Sequence, residues 1–123
     1  MKTRTHYDEI APYVTKDGSE IRELMHPRKH AGRLQSLAEA RVAPGRSTAM
    51  HKHFQSEEIY HVTAGTGRMS LGAEVFAIRP GDTIQIPPGT EHCLENTGQG
   101  DLCVLCACSP PYDHDDTALV GPA

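Results

Sequence analysis

Apolar and polar residues alternate in short runs along this chain of 123 residues, and glycine and proline separate the runs. Between residues 47 and 86 the runs are EIYHVT, RMSL, VFAI and TIQI, each followed by a turn-forming segment. No stretch of useful length has the 3.6-residue period of a helix. The pattern therefore predicts an all-β fold, an antiparallel sandwich or barrel with few or no helices.

Further strands are predicted on both sides of this region. The segment SEIRELMHP alternates imperfectly, and we expect a short strand that ends before Pro27. In RLQSLAEARVA, Glu39 and Arg41 share one strand face; they could contact a substrate in a cavity, but we favour an ordinary solvated pair. Residues 102–108, LCVLCAC, are apolar on both faces, which predicts a strand buried on both sides.

The pattern divides the chain into three parts. Residues 1–18 are predicted to form an N-terminal arm, because Pro12 interrupts a short apolar run and a Lys-Asp-Gly turn follows it. Such an arm either lies across a partner subunit or frays. Residues 19–108 form the barrel. Residues 109–123 are too rich in proline and acidic groups to continue the sheet, and we expect a solvated tail or a lid over the barrel mouth.

Composition narrows the classes of function. A hydrophobic content of 37% in 123 residues is enough for one core. The chain has no apolar run long enough to span a bilayer and no secretory h-region, so we expect a cytoplasmic protein with no membrane partner. Its net charge of −4 argues against nucleic acid as a partner.

Four residues in the middle of the chain are candidate metal ligands. His51 and His53 are two positions apart, so on a strand their imidazoles lie on the same face, and Glu58 and His92 follow. Three imidazoles and a carboxylate can bind one divalent transition metal and leave coordination positions open. Iron, manganese, nickel, cobalt, copper and zinc all suit this ligand set, so the sequence leaves the metal undetermined.

These segments resemble the two motifs of the cupin family. The first fits the pattern G-x5-HxH-x4-E-x6-G at Gly45, His51, His53, Glu58 and Gly65. The second fits G-x5-PxG-x2-H-x3-N at Gly81, Pro87, Gly89, His92 and Asn96. The resemblance to small single-domain cupins implies a double-stranded β-helix, or jelly-roll barrel. It also implies a metal near the barrel mouth, bound by His51, His53, Glu58 and His92.

A few further residues are candidates for a role beside the metal. Tyr60 shares the strand phase of Glu58, so it either donates a hydrogen bond inside the cavity or packs in the core. His114 would supply an acid or base if the tail closes as a lid. Cys106 and Cys108 share one face of the last predicted strand, where they are either redox-sensitive thiols or small buried hydrophobes. We expect the cysteines to be reduced.

The favoured hypothesis is a metal-dependent enzyme of the non-haem dioxygenase type that acts on a small polar substrate. One alternative is an isomerase, epimerase or lyase of the kind found among cupins that act on sugars or sugar phosphates, although few basic residues lie near the motifs. Another is a non-catalytic module that binds a metal or a small ligand. We also expect a homodimer, because jelly-roll sheets have edges that a second subunit can cover.

Overall fold

The computed structural model describes residues 1–121 and has two antiparallel β-sheets. This confirms the predicted all-β class and jelly-roll architecture. The described residues form two 3-10 helices, Tyr7–Glu9 and His114–Asp116. The strands are β1 (Tyr13–Val14), β2 (Glu20–Met25), β3 (Ser36–Val42), β4 (His51–His53), β5 (Glu57–Ala64), β6 (Gly67–Leu71), β7 (Glu74–Ile78), β8 (Thr83–Ile86), β9 (His92–Asn96), β10 (Leu102–Ser109) and β11 (Thr117–Leu119).

Strands that are distant in sequence lie side by side in both sheets. The larger sheet has the order β1-β2-β3-β10-β5-β8, and the smaller has the order β11-β4-β9-β6-β7. In the larger sheet, β10 pairs with both β3 and β5, so it lies in the interior of the sheet. The face with Leu102, Val104, Cys106 and Cys108 is buried, whereas Leu105 and Ala107 on the other face are half-buried, so the predicted burial on both sides holds for one face only.

The hydrophobic core lies between the two sheets. Met69 and Leu94 from the smaller sheet and Ile86, Leu102 and Val104 from the larger one are almost completely buried. In β3 and β5, buried residues alternate with more exposed ones, as expected for strands with one face on the core. At one end of the interior the buried side chains are polar instead: His51, His53, Glu58 and His92.

The N-terminal segment packs against the chain's own larger sheet. Tyr13 and Val14 pair with β2, and the Ala49 N–H donates a hydrogen bond of 2.7 Å to the Asp17 carbonyl. The hydroxyl of Tyr7 donates to the Glu39 carboxylate, which lies on the outer side of β3. Glu39 and Arg41 do not line the cavity, but they are not the solvated pair that we favoured, because Tyr7 contacts both and the Glu39 side chain is only 15% exposed.

The expectation that the tail stays outside the sheet is wrong for Thr117–Leu119, which pair with β4 as β11. Two acidic residues before this strand, Asp113 and Asp116, accept hydrogen bonds from backbone amides, whereas Asp115 is exposed. The Asp116 carboxylate accepts hydrogen bonds from the N–H groups of Gln55 and Ser56 at 2.9 and 3.1 Å. The last two residues of the predicted tail, 122 and 123, lie outside the described residues.

A glycine of the first motif permits a close approach of two chain segments. Gly65 has φ of +81°, and a Cβ there would lie 2.4 Å from the Asp101 carbonyl oxygen. Glycine is therefore required for both its conformation and its lack of a side chain. Within residues 1–121, no helix has the length and apolar character needed to cross a membrane.

Candidate metal centre

Three strands from both sheets bring the four predicted ligands together. In the smaller sheet, His51 on β4 lies directly opposite His92 on β9, and His53 lies two residues along on the same face. Glu58 comes from β5 in the larger sheet, across the interior. One potential ligand atom from each of the four residues lies within 4.8 Å of all the others, and all four residues are buried. This geometry can hold a single metal ion.

Hydrogen bonds at Nδ1 fix the orientation of each imidazole. Nδ1 of His51 lies 2.9 Å from the Ala49 carbonyl oxygen, and Nδ1 of His92 lies 2.9 Å from that of Thr90. Because a carbonyl only accepts, both rings carry their proton on Nδ1. Their Nε2 atoms then present lone pairs to the centre of the site, as a metal ligand must.

The tautomer of His53 follows from the bonds of Thr117. The Thr117 hydroxyl donates to the Asp113 carbonyl at 2.9 Å, so its only proton is already used. It must therefore accept from Nδ1–H of His53, which lies 2.9 Å away. The β11 strand thus fixes a ligand on the neighbouring β4 strand.

The Glu58 carboxylate faces the three imidazoles. Oε1 lies 3.2 Å from Nε2 of His53 and 3.3 Å from Nε2 of His92. Cys108 Sγ donates to the other oxygen, Oε2, at 3.3 Å. Burial alone raises the pKa of Glu58, and the opposing effect of His53 and His92, which lowers the pKa overall, applies when these imidazoles carry a second proton and a positive charge.

Two buried atoms of this group are suited to a cation. Within the described residues, Glu58 Oε1 and His92 Nε2 have no hydrogen-bond partner. With the histidine protons on Nδ1, no proton lies between Nε2 and the carboxylate, so lone pairs face one another. Burying such groups without a partner is unfavourable, and a divalent metal would bind both. The residues therefore fit the metal that the ligand set predicts.

Burial also favours the metal-binding form of His51. Desolvation is the main cause that lowers the pKa of His51, and the neighbouring His92 lowers it further, while Asp17 partly opposes the change. A histidine with a lowered pKa stays neutral to a lower pH, and only neutral imidazole binds a metal.

Comparison with known proteins agrees with this geometry. The family pattern of the Cupin domain matches residues 38–108, which is more than half of the chain. The protein is a cupin. It is 53% identical over 117 residues to an uncharacterised protein of Methanocaldococcus jannaschii, covering 95% of this chain and 94% of that one. It is also 30% identical over 83 residues to the oxalate-binding protein of Thermotoga maritima, covering 68% and 69% of the two chains.

A solved structure supports the fold. A polyketide cyclase from Streptomyces resistomycificus superposes with a TM-score of 0.82 at 21% sequence identity, covering 100% of this cupin and 88% of that chain. At this identity the likeness extends to the jelly-roll architecture alone. The residues of this cupin's own cavity therefore have to carry any argument about its chemistry.

Three of the four ligand residues, His51, His53 and Glu58, line a cavity of about 40 Å³ between the sheets. Tyr60 lines this cavity, and its ring centroid lies 5.8 Å from that of His92. Burial raises the pKa of Tyr60, so its hydroxyl stays protonated and can donate a hydrogen bond. Its position inside the cavity was one of our two sequence interpretations, and its catalytic role stays a prediction.

His114 does not line this cavity. It borders a neighbouring one, and its Nδ1 lies 2.9 Å from the Tyr112 hydroxyl. Tyr112 is one of two tail residues that line the metal cavity, the other being Thr117, and its ring lies 5.8 Å from that of His53. His114 therefore contacts the metal cavity only indirectly, through the lining residues Tyr112 and Tyr13.

The cysteines are unpaired, as expected. Both Cys106 and Cys108 line the metal cavity. Burial is the main cause that raises the pKa of each thiol, and Glu58 raises both further. These side chains are therefore protonated thiols rather than reactive thiolates.

Sequence reasoning missed several polar residues of the cavity, among them Asp17, Glu23 and Thr117. Asp17 was interpreted only as part of a turn, yet its Oδ2 lies 3.6 Å from Nε2 of His51. Glu23 was assigned to a short strand without a role, and Thr117 to the tail. No motif marks these residues. Asp17 lies in the connection between β1 and β2, Glu23 on β2 beside β3, and Thr117 on β11, which pairs with the distant strand β4.

Proposed function

We propose that this cupin is a metal-dependent enzyme that acts on a small polar substrate. The observation that carries the proposal is the position of Asp17, a carboxylate beside the ligand group in the same cavity. A purely structural metal site is closed by its ligands and has no use for a further acidic group. Here three of the ligands and a candidate proton acceptor line one cavity.

The two oxygens of Asp17 have different surroundings. Oδ1 accepts hydrogen bonds from the backbone N–H and the hydroxyl of Ser19 at 2.9 and 2.6 Å. These bonds hold the carboxylate in place, and Oδ2 is the oxygen near His51. A carboxylate held in this way can accept a proton from a substrate carbon or hydroxyl group.

A divalent metal at this site would supply Lewis acidity, polarising a substrate oxygen. Together with Asp17 as the base, this favours proton-transfer chemistry of the isomerase, epimerase or lyase class. The Tyr60 hydroxyl, protonated at neutral pH, is suited to donate a hydrogen bond to a substrate oxygen.

The size and charge of the cavity limit the substrate. A volume of 40 Å³ holds about three water molecules, so the reacting part of the substrate has only a few atoms. The lining includes no lysine or arginine among the described residues. Phosphate groups are usually bound by such cations, which argues against a sugar phosphate.

Dioxygenase chemistry is the second candidate. It is supported by the ligand set, because three imidazoles and one carboxylate suit Fe(II) and leave positions for substrate and oxygen. A non-catalytic binding module is the third, supported by the name of the oxalate-binding relative from Thermotoga maritima. Of the three candidates, only the dioxygenase needs oxygen, and only the binding module converts no substrate.

One experiment separates the three. Metal-loaded protein is incubated in deuterated water, with and without oxygen, with a panel of small hydroxy acids, hydroxy ketones and aldehydes. Proton transfer predicts anaerobic exchange of a substrate C–H, followed by NMR. In Asp17→Asn the exchange should fall at least about 100-fold with the metal content unchanged. Asp115→Asn, an exposed tail residue, serves as the control.

The other outcomes would replace this proposal. Oxygen consumption that depends on both Fe(II) and a panel member would favour the dioxygenase. A protein that keeps its metal, binds panel members and converts none of them would favour the binding module. Exchange that is as fast in Asp17→Asn as in the wild type would exclude Asp17 as the base.

A further inference from the structure

Three side chains separate the metal cavity from a second, outer cavity. Tyr13, Glu23 and Tyr112 line both the 40 Å³ metal cavity and the outer cavity of about 240 Å³. Of the three, only Glu23 is a carboxylic acid. It lies on β2, opposite Ala38 of β3. Any molecule that fills the metal cavity on this side meets the Glu23 carboxylate.

The two oxygens of Glu23 differ in the same way as those of Asp17. Oε1 accepts a hydrogen bond of 2.9 Å from the Tyr13 hydroxyl. Oε2 is buried and has no hydrogen-bond partner within residues 1–121. The whole residue is 8% exposed, so little water can reach this oxygen. A buried carboxylate oxygen without a partner is unfavourable, and a ligand that donates to it removes the penalty.

The cations nearest in the fold do not neutralise Glu23. Arg28 and Lys29 line the outer cavity, but neither forms an ion pair with Glu23 in the described part of the chain. Arg28 instead contacts Asp113, with 3.1 Å between Nη2 and Oδ1. The free oxygen of Glu23 is therefore available as an acceptor.

We propose that Glu23 determines substrate specificity by accepting, at Oε2, a hydrogen bond from a hydroxyl or ammonium group of the substrate. This inference rests on the proposed function of the metal centre. The substrate then has an oxygen atom suited to the metal and, at another position, an O–H or N–H donor. Small hydroxy acids, polyols and amino alcohols belong to this class.

The same carboxylate disfavours dicarboxylates. The cavity lining already contains the carboxylates of Asp17, Glu23 and Glu58, with no lysine or arginine among the described residues. A second carboxylate on the ligand would face Glu23 as a like charge without an intervening proton. Oxalate is therefore a poor ligand for this cupin, in contrast to what the name of the Thermotoga maritima relative would suggest.

The test compares glycolate with oxalate on the Co(II)-loaded protein. Both ligands can bind a metal through a carboxylate, but only glycolate carries a hydroxyl donor. The visible absorption of Co(II) reports ligand binding, and the ratio of the two Kd values is measured for each variant. The intrinsic preference of Co(II) for either ligand is common to all variants and cancels when ratios are compared.

Glu23→Gln removes the negative charge and adds an amide donor at nearly the same volume. We expect oxalate binding to improve at least tenfold relative to glycolate in this variant. In Tyr13→Phe, oxalate binding should weaken at least threefold relative to glycolate binding. The reason is that the Glu23 carboxylate loses the hydrogen bond that the Tyr13 hydroxyl donates to it. Opposite shifts from neighbouring substitutions are not expected from a general loss of packing.

The chain offers a matched control in Glu39. Its carboxylate accepts a hydrogen bond of 2.5 Å from the Tyr7 hydroxyl, as Glu23 does from Tyr13, but it lies outside the metal cavity. Glu39→Gln should leave the ratio within twofold of the wild-type value.

If Glu23→Gln and Tyr13→Phe also leave the ratio within twofold of the wild-type value, Glu23 does not determine specificity, although the metal centre stands. If the wild type shows no Co(II) absorption from a His-rich site, both proposals fail.

Discussion

The three histidines of the metal centre show how single hydrogen bonds prepare a site for a metal. Each donates from Nδ1 to an oxygen, which leaves Nε2 free for a metal; Nε2 of His53 and His92 lies beside Glu58, and that of His51 beside Asp17. The acceptors are backbone carbonyls for His51 and His92, and a side-chain hydroxyl for His53. Only the last of these can be removed by a substitution that leaves the backbone unchanged.

Thr117→Val therefore tests the orientation of a ligand. Losing the acceptor of His53 Nδ1–H should weaken metal binding about 10- to 100-fold, because such partners fix the tautomer and the ring position. The Kd is measured by Co(II) titration. Thr83→Val is the matched control, since its hydroxyl bonds His61, which is not a ligand. Equal Kd values for both variants would show that the Thr117 contact is unimportant.

At this scale the sequence was informative where spacing alone determines position. His51 and His53 are two residues apart on one strand, so their side chains lie on the same face. The second motif supplied His92. Glu23 and Thr117 carry no such mark, since they approach the site through pairings of β2 and β11 that no local pattern specifies. The contact between His53 and Thr117 spans 64 positions of the chain.

At the scale of elements, the strands and turns of residues 19–108 follow the alternation of the sequence closely. The tail differs because an acidic residue has two possible partners, water or a buried backbone N–H. Asp116 takes the second, accepting from Gln55 and Ser56, and the chain then continues as β11 beside β4. Composition predicted the charge of this segment correctly but not its partners. The division into arm, barrel and tail remains a prediction.

The turn at Gly65 is the element most sensitive to a small change. Gly65→Ala should lower the free energy of unfolding by about 2–4 kcal/mol, from the positive φ and from contact with the Asp101 carbonyl. Urea unfolding followed by circular dichroism measures the change. Gly100→Ala is the control, because a Cβ there would have nothing within 4 Å. Similar unfolding midpoints for the two variants would contradict this account of the turn.

For the whole molecule, the outer surface of the larger sheet supports the predicted homodimer. Leu37 on β3 and Ile59 on β5 lie on either side of Ala107 on β10, forming an apolar stripe across three strands. Leu37 and Ile59 are 38% and 40% exposed in the single chain. A second copy that covers this stripe would remove it from water.

Light scattering at micromolar concentration should therefore give twice the chain mass of 13.4 kDa. Ile59→Lys should shift the protein towards monomer, because the charge would be buried in the interface. Val75→Lys, at an exposed position of β7 in the other sheet, should not. A monomeric wild type, or equal masses for all three proteins, would count against the dimer.

The central claim is that four side chains from two sheets bind one metal ion. Its most direct test is elemental analysis of protein purified without added metal. We predict close to one transition metal per chain in the wild type, and loss of the metal in His51→Ala and His92→Ala with the fold retained by circular dichroism. Wild type and variants that hold equally little metal, even after incubation with each divalent ion in turn, would contradict the account.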